Sequence, residues 1–334
     1  MALPWQPEPL PRSEALLYAA LPAYREHGLA RFGPDGAVYS ADALPVLERC
    51  RRTPLHADDL WVLASPKCGT HWTAEMAWLI QHDCDFAGAQ SYLAPDRTHF
   101  LDAAAIMSPG WRQAAQQQGS DAVCRRLLQP IDGRPRPRLV NTHLPLSLCP
   151  PGLLDTCKVI YVARNPKDAC VSYYKMLMSD STLSPETTIE DFVTLYTEGK
   201  MVCLPFFPNV LQAWRQRQHP NMLFLTFEEM KRDLRAVIER TAEFLGKKLA
   251  AEELDRLQHH LSFESMRENK WVNKEDRIKG QKGADGERLS FMRKGQTGDW
   301  KNHLSDETSQ KMDRWMEENL RGTGLTFVAE APQQ

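Results

Sequence analysis

The sequence lacks the features that mark several protein classes. No run approaches the ~18 apolar residues that a membrane-spanning helix needs. Its first residues do not show the basic stretch and apolar stretch of a secretory leader. Eight cysteines stand at irregular spacing, without a C-x-x-C pair or a Cys/His pattern typical of metal sites. We therefore expect a cytoplasmic protein with reduced thiols, no membrane partner and no metal.

An excess of charge of one sign is also lacking. The 41 Lys and Arg residues nearly balance the 43 Asp and Glu residues, which gives a net charge of −2. This balance disfavours nucleic-acid binding through a global basic field, so any anion site has to be built from local cations. The chain of 334 residues is long enough for one large α/β domain, and its 42% of hydrophobic residues is ordinary for a globular protein.

The Walker A motif of ordinary ATPases and GTPases is missing, but one segment follows the same logic. Ser65 to Trp72 reads SPKCGTHW and follows the apolar run Leu60 to Ala64. A strand, loop and helix in this order point backbone N–H groups and the positive end of the helix dipole at one place, where Lys67 adds a charge and Thr70 a hydroxyl. The pattern predicts an anion site. Taken alone, it is equally compatible with a helix start that Thr70 merely caps.

Further polar segments follow two more apolar runs. Asn141 to Pro145 reads NTHLP, and Arg164 to Asp168 reads RNPKD after the run Val159 to Ala163. Because the carboxyl ends of parallel strands meet at one edge of a sheet, we expect these segments to share one crevice with the first loop. Nearer the C-terminus, Phe291 to Gly295 (FMRKG) and Gly298 to Lys301 (GDWK) add two adjacent cations and flexible glycines.

These four motifs resemble those of the cytosolic sulfotransferase family, over about residues 58–300, and the segments between them look closer to the invertebrate members. The resemblance implies an α/β fold. It would be a single domain with a central parallel sheet flanked by helices and a phosphate-binding strand-loop-helix, the P-loop-like sulfotransferase fold. It also implies transfer of a sulfonate from 3′-phosphoadenosine 5′-phosphosulfate (PAPS), without a metal, to the hydroxyl of a small hydrophobic phenol or alcohol. The product of the nucleotide would be 3′-phosphoadenosine 5′-phosphate (PAP).

The resemblance gives each matching residue an expected role. His143 matches the general base, and Lys67 matches the lysine that contacts the 5′-phosphosulfate and stabilises the leaving oxygen. The expected nucleotide-binding residues are Lys67, Cys68, Gly69, Thr70, His71, Trp72, Arg164, Ser172, Phe227, Phe263, Arg293, Lys294 and Gly295. Among these, Arg164, Ser172 and the Arg293-Lys294-Gly295 segment would hold the 3′-phosphate, whereas the aromatic residues would contact the adenine. The expected acceptor-site residues are Phe100, Tyr173 and Met176, although each is equally credible as core.

Three departures from the family pattern bear on the chemistry. His71 stands where the family has a second threonine, Ser65 replaces a tyrosine, and Asn141 replaces the lysine of KTHLP. Asn141 can donate a hydrogen bond but supplies no charge. The resemblance therefore implies a slower enzyme, an altered sulfonate geometry or a compensating donor such as His71, and we favour the compensating donor. Cys68 lies beside Lys67 at a helix start, which predicts a bias toward thiolate.

The coarse organisation follows from composition and periodicity. We expect an irregular, partly helical lead-in over residues 1–53, a sulfotransferase domain over 54–326 and a tail over 327–334. Helices are predicted over 70–82, 168–178, 229–245, 251–260 and 306–320, and a strand over 221–227. The family's dimer motif is degraded at Lys301 to Gln310, so a homodimer formed by that route is doubtful.

Two other functions stay open on the sequence alone. A degenerate family member would bind the nucleotide or an apolar ligand without efficient turnover, an alternative that Asn141 and His71 suggest. A nucleoside-phosphate kinase shares the strand-loop-helix logic, but it needs Mg²⁺ and the missing Walker A spacing. The presence of both Lys67 and His143 favours the active sulfotransferase.

Overall fold

The computed structural model describes residues 5–91, 97–116, 131, 133–273, 292 and 294–328. Its centre is a five-stranded sheet in the order β5-β6-β4-β7-β8, in which every neighbouring pair is parallel. The strands are β4 (Leu60–Leu63), β5 (Thr98–Phe100), β6 (Leu139–Thr142), β7 (Lys158–Ala163) and β8 (Met222–Thr226). The three central strands are almost wholly buried because helices cover both faces of a parallel sheet.

The strand order places the motif loops together. Strand β4 pairs with β6 on one side and with β7 on the other, with Leu63 opposite both Thr142 and Tyr161. The segments after these three strands are the SPKCGTHW loop, the NTHLP segment and the RNPKD segment. All three therefore leave the sheet at its carboxyl edge, where ligands of open α/β sheets bind.

Fifteen helices are described around and beyond this sheet. They are α1 (Ala15–Ala20), α2 (Leu44–Arg51), α3 (Thr70–Gln81), α4 (Phe86–Ala89), α5 (Ala103–Ile106), α6 (Pro109–Gln116), α7 (Leu153–Thr156), α8 (Pro166–Ser179), α9 (Ile189–Thr197), α10 (Phe206–Arg215), α11 (Phe227–Arg232), α12 (Leu234–Leu245), α13 (Ala251–His260), α14 (Phe263–Glu268) and α15 (Asp306–Leu320). Short 3₁₀ helices cover Pro22–Tyr24, Ala41–Ala43, Leu146–Leu148 and Asp299–Asn302. None of the helices in the described ranges is both long enough and apolar enough to cross a bilayer.

The lead-in is more ordered than the sequence suggests. It contains β1 (Glu8–Pro9), β2 (Leu29–Phe32) and β3 (Ala37–Ser40), which form a three-stranded antiparallel sheet that we call the lead-in sheet. Val38 of β3 donates from its N–H to the Leu204 carbonyl at 2.7 Å, and its carbonyl accepts from the Cys203 N–H at 2.9 Å. These partners are distant in sequence, so local composition does not reveal them.

Most predicted elements agree with the structure, and one helix is divided. The helices predicted over 251–260 and 306–320 match α13 and α15, and α3 ends one residue earlier than expected. The helix predicted over 229–245 is two helices, α11 and α12, that meet at Asp233. Asp233 leaves helical geometry and its carboxylate accepts from the Ala236 N–H, so it caps a new helix start. The charged segment 274–291 lies outside the described residues.

Candidate active site

The loop between β4 and α3 has the backbone of an anion cradle. Lys67 and Gly69 adopt positive φ angles of 66° and 107°, which turn successive N–H groups toward the start of the helix. A Cβ at position 69 would lie 3.1 Å from Phe227 Cδ2, so a side chain there would be both strained and crowded. Lys67 is not glycine, and its left-handed conformation is the kind of strain that functional loops retain.

Thr70 is the residue of this loop whose side chain best fits an oxyanion. Its side chain is 4% exposed, and its Oγ1 is buried without a hydrogen-bond partner among the described residues. Burial of a hydroxyl without a hydrogen-bond partner is unfavourable, and a hydrogen bond to a bound phosphate oxygen would offset that cost. The donors and the helix start therefore fit an oxyanion.

Cys68 is fully buried in this loop, which corrects the expectation of a thiolate. Burial raises the pKa of its thiol to about 12, and this effect outweighs the lowering by the nearby Arg164 charge. Its Sγ lies 3.7 Å from the Pro66 carbonyl. The side chain is a small buried spacer, and only its backbone N–H can serve the cradle.

The ring of His143 is oriented by one hydrogen bond and one aromatic contact. Its Nδ1 donates to the Ala64 carbonyl at 2.6 Å, which assigns the proton to Nδ1 and leaves the lone pair on Nε2. The Ala64 N–H in turn donates to the Thr142 carbonyl at 3.3 Å. Ala64, which precedes the SPKCGTHW loop, is therefore bonded to the NTHLP segment through both its N–H and its carbonyl. Phe100 packs edge-on against the imidazole with ring centroids 5.0 Å apart. The partly exposed ring thus has the tautomer of a general base.

Arg164 connects the phosphate loop to the C-terminal motif. Its guanidinium donates to the Lys67 carbonyl at 3.2 Å and to the Gln296 carbonyl at 2.9 Å, and it lies 4.2 Å from the centroid of the Phe227 ring. Its Nε is buried without a partner among the described residues. Two backbone carbonyls therefore hold the Arg164 guanidinium, while its Nε can donate a hydrogen bond to a ligand.

The GDWK segment is anchored on α8 by the two residues that follow the RNP sequence. The buried Asp168 carboxylate accepts from the Gly298 N–H at 2.7 Å and from the Trp300 N–H at 3.1 Å. Lys167 lies 4.1 Å from the Trp300 ring and donates to Asp313 at 2.6 Å. The RNPKD motif therefore positions the last motif as well as supplying Arg164.

The predicted adenine-contacting residues lie together at the other end of this region. Trp72 packs edge-on against Phe227 at 5.4 Å, and its Nε1 donates to the Leu261 carbonyl at 2.8 Å. Phe263 lies directly against Gly295, where a Cβ would overlap the ring. Trp72 and Phe263 both line a cleft of about 400 Å³, and the remaining lining residues are Met230, Lys231, Leu234, Asp255, Gln258, His259, Ser262 and Glu264.

The other predicted residues have varied surroundings. Ser172 is half-buried on α8, and Lys294 pairs with Asp299 at 2.7 Å. Asn141 is 2% exposed on β6, and Met176 is partly buried against the core. Tyr173 is 2% exposed, with its hydroxyl donated to the Val202 carbonyl and its ring against Phe192. His71 is partly exposed at the start of α3, whereas Arg293 lies outside the described residues.

Comparison with known proteins decides the family. Residues 57–324 match the Sulfotransferase domain. The chain belongs to the sulfotransferase family. Among relatives of this sulfotransferase, luciferin sulfotransferase of Photinus pyralis is 33% identical over 290 residues, which cover 85% of this chain and 76% of that protein. Sulfotransferase 1C2 of Rattus norvegicus is also 33% identical, over 82% of this chain and 86% of that protein.

A solved structure resembles the sulfotransferase along nearly its whole length. The crystal structure of retinol dehydratase in a complex with retinol and PAP aligns with a TM-score of 0.88 and 32% identity, covering 98% of this chain and 100% of that chain. The family membership confirms the predicted fold, the predicted enzyme class and the predicted sulfonate donor, PAPS. The Thr70 hydroxyl, the Arg164 Nε and the cradle at Gly69 fit the phosphates of this donor. Within the described ranges, no three His, Cys, Asp or Glu side chains are grouped to hold a metal.

Sequence reasoning missed several residues of this site. The anchoring role of Asp168, the cleft residue Lys231 and the contacts of Asp102 and Asn209 with His143 all depend on tertiary structure. Only Asp168 gave a signal, because it belongs to the RNPKD motif. The others are single polar residues in segments without a motif of their own.

Proposed function

We propose that this sulfotransferase moves the sulfonate of PAPS to the hydroxyl of an apolar alcohol or phenol, with His143 as the general base. The observation that carries the proposal is the hydrogen bond from His143 Nδ1 to the Ala64 carbonyl, because it leaves the Nε2 lone pair to accept a proton. The contact with Phe100 supports an apolar acceptor next to that atom. Luciferin, retinol and androsterone, which are named with its relatives, each carry a hydroxyl on an apolar skeleton.

Each part of the site has a separate task in this proposal. PAPS, when bound, supplies the sulfonate and a phosphate leaving group. His143 Nε2 takes the proton of the attacking hydroxyl, and Lys67 stabilises the charge on the leaving oxygen. The Thr70 hydroxyl and the N–H groups of residues 68–71 bind the 5′-phosphate. Arg164, Ser172 and residues 293–295 bind the 3′-phosphate, which distinguishes the donor from ATP.

The remaining binding assignments are proposals of the same kind. Trp72, Phe227 and Phe263 would contact the adenine, and Phe100, Tyr173 and Met176 would contribute to the acceptor side. Phe100 has the strongest support because it touches His143. The seven cysteines that the structure describes are unpaired and buried, which supports a reducing compartment such as the cytoplasm.

The degraded dimer motif has another use in this chain. Ser305 caps α15, since its Oγ accepts from the Thr308 N–H at 3.2 Å, and Thr308 is 7% exposed. These residues stand where the family's dimer segment falls. This use within the chain supports the proposal that any homodimer forms by a route other than this segment.

The test is transfer of ³⁵S-sulfonate from labelled PAPS to a panel of phenols and aliphatic alcohols in the presence of EDTA. We expect EDTA-resistant transfer by the wild type. His143→Ala should lower kcat by about 10²–10⁴-fold because the base is gone. The control His27→Ala removes an exposed imidazole of the lead-in and should keep full activity.

Binding of PAP by calorimetry completes the experiment. His143→Ala should bind PAP within about threefold of the wild type, because the base does not hold the nucleotide. Tight PAP binding without transfer to any panel member would support the degenerate alternative. Activity that EDTA abolishes and Mg²⁺ restores would contradict the proposal.

The whole-length likeness to retinol dehydratase favours one second candidate, dehydration of an allylic alcohol. Sulfonation would convert the hydroxyl into a sulfate ester. The C–O bond would then break with its electron pair leaving on sulfate, and loss of a proton from a neighbouring carbon would give an alkene. Incubation with retinol distinguishes the two outcomes. Transfer alone leaves ³⁵S on an organic ester, whereas dehydration releases inorganic ³⁵S-sulfate and a hydrocarbon.

A further inference from the structure

A buried carboxyl group lies directly beneath the proposed base. Asp102 is fully buried just after the segment that contains Phe100. Its Oδ1 accepts from the Thr142 hydroxyl at 2.7 Å and from the His143 backbone N–H at 3.2 Å. Its Oδ2 is buried without a hydrogen-bond partner among the described residues. The carboxylate therefore contacts the peptide of His143 while half of its hydrogen-bonding capacity is unused.

The remaining backbone groups around His143 are also restrained. The His143 carbonyl accepts from Asn209 Nδ2 at 3.0 Å, and Asn209 Oδ1 accepts from the Tyr161 hydroxyl at 2.9 Å. The Thr142 hydroxyl, which donates to Asp102, itself accepts from the Leu144 N–H at 3.0 Å. The residue is thus held at its N–H, at its carbonyl and at its ring. Asp102 supplies the ionisable member of this arrangement.

The hydrogen bonds of Asp102 do not by themselves require a charged side chain. Four titratable groups, Tyr39, Cys50, Cys149 and Cys203, are influenced by Asp102: burial raises the pKa of each and the Asp102 charge raises it further, so that all four are neutral near pH 7. An asparagine would make the same hydrogen bonds from Thr142 and His143 without the cost of burying a carboxylate. What an asparagine lacks is the negative charge, which favours a protonated imidazole nearby.

We propose that Asp102 is the positioning residue of His143: it fixes the backbone that carries the ring, and its charge stabilises the imidazolium that forms when His143 takes the acceptor's proton. The inference rests on the proposed role of His143 as the base. It extends that role to a residue that does not touch the reacting atoms. Asp102 thereby acts on the reaction through the geometry and basicity of another side chain.

Asp102→Asn is the first test, because it keeps the size and an acceptor oxygen but removes the charge. We expect NMR of histidine-labelled protein with PAP bound, assigned with His143→Gln, to show a fall of about one unit in the pKa of His143. The acidic limb of the kcat/KM profile should move to lower pH by the same amount. The maximal rate should fall about 10-fold because the base is weaker.

Two further variants separate positioning from folding. Thr142→Val removes a donor to the carboxylate at unchanged volume, and it should shift the His143 pKa in the same direction by less. Asp59→Asn removes another buried carboxyl, which pairs with Arg138. These two residues precede β4 and β6, at the edge of the sheet opposite to His143. This control should leave the His143 pKa unchanged even where it lowers thermal stability.

The outcomes are distinct from those that test the function itself. A His143 pKa that is the same in wild type, Asp102→Asn and Thr142→Val would overturn the inference and leave Asp102 with a packing role. Lack of transfer by the wild type would overturn the proposed function. A shifted His143 pKa in that case would still support the electrostatic coupling of the two residues, since the NMR measurement does not depend on turnover.

Discussion

Cys68 illustrates how burial can outweigh a favourable electric field. The residue follows Lys67 at a helix start and lies near Arg164, and these neighbours favour a thiolate. The fully buried thiol nevertheless has a pKa of about 12, because desolvation is the largest effect. Sequence position indicates the sign of the local field, whereas the degree of burial is known only from the fold.

We predict that Cys68 resists alkylation in the native protein. At about pH 8 the thiol is protonated and covered, so iodoacetamide should modify it only after unfolding. Peptide mass spectrometry of native and denatured samples measures this directly. Cys68→Ala should bind PAP with near-normal affinity, because the cradle uses the backbone N–H. Rapid native modification of Cys68 would contradict the buried placement.

Asn141 and His71 give a second prediction. Asn141 is 2% exposed on β6, paired in register with Val62 and Phe100, and it supplies no charge toward the sulfonate. If His71 compensates as a donor, His71→Ala should lower kcat about 10-fold, whereas Asn141→Lys should keep or raise turnover. Steady-state kinetics with a saturating acceptor measures both. An unaffected His71→Ala would remove the compensation hypothesis.

The motifs predicted where several of the candidate site residues lie, and their binding roles stay predictions. Lys67, Thr70, Trp72, Arg164 and His143 all lie at or beside the carboxyl edge of the sheet, as their positions after apolar runs suggested. Asp102 and Asn209 could not be predicted, because nothing in their local sequence shows that the fold brings them to His143. A polar residue becomes part of a site through burial and contact, which single-sequence patterns do not encode.

Helix α8 is the element that joins the two proposed phosphate-binding regions. The segment before it contributes Arg164, and its first turn contributes Lys167 and Asp168, which hold the loop at 298–300. Its own start is capped by Asn165, whose Oδ1 accepts from the Lys167 N–H at 3.0 Å. The proposed 3′-phosphate site is therefore held in place by the start of this helix.

We predict that loosening this anchor weakens nucleotide binding. Asp168→Asn replaces one of two carboxylate acceptors by a donor, so the loop that follows Gly295 should lose a charge-assisted hydrogen bond of about 1.5–3 kcal/mol. The Kd for PAP should rise at least about 10-fold by calorimetry.

The matched control for this change is Asp306→Asn, at an exposed position in the first turn of α15. It should leave the Kd unchanged. Equal PAP affinity in wild type and Asp168→Asn would show that the Lys167 contacts with Trp300 and Asp313 suffice to hold the loop.

Elements with strong local patterns were predictable, and short ones were not. The buried strands β4, β7 and β8 stand out as apolar runs, and α13 and α15 have the periodicity of one-sided helices. Strand β5 has only three residues, and the lead-in strands have two to four, so their hydrogen bonds depend on partners elsewhere. The break at Asp233 was also missed, because a capping side chain inside a helical pattern is a weak signal.

Buried titratable residues make the stability of the whole molecule depend on pH. Burial raises the pKa of Asp102 to about 6 and that of Glu228 to about 7. The folded state therefore binds more protons than the unfolded state between about pH 4 and pH 7, so these groups make stability fall as the pH rises. His99 acts in the opposite direction, because burial lowers its pKa to about 3.

A comparison of the wild type with Asp102→Asn isolates the contribution of Asp102 to this pH dependence of stability. We predict that Asp102→Asn gains stability relative to the wild type as the pH rises from about 4 to about 7.5, by roughly 2 kcal/mol. Urea unfolding of both proteins at both pH values gives the difference in their free energies of unfolding at each pH. A stability difference that does not change with pH would show that Asp102 has an ordinary pKa in the folded protein.

The lead-in sheet imposes an order on the synthesis of the molecule. Strand β3 bonds to residues 203–204, and Arg31 of β2 donates to the Gly199 carbonyl, 168 residues further along the chain. A growing polypeptide leaves the ribosome with its first strands long before these partners exist. Strands β2 and β3 therefore cannot complete these contacts until residue 204 has emerged, whereas the contacts between the two strands can form much earlier.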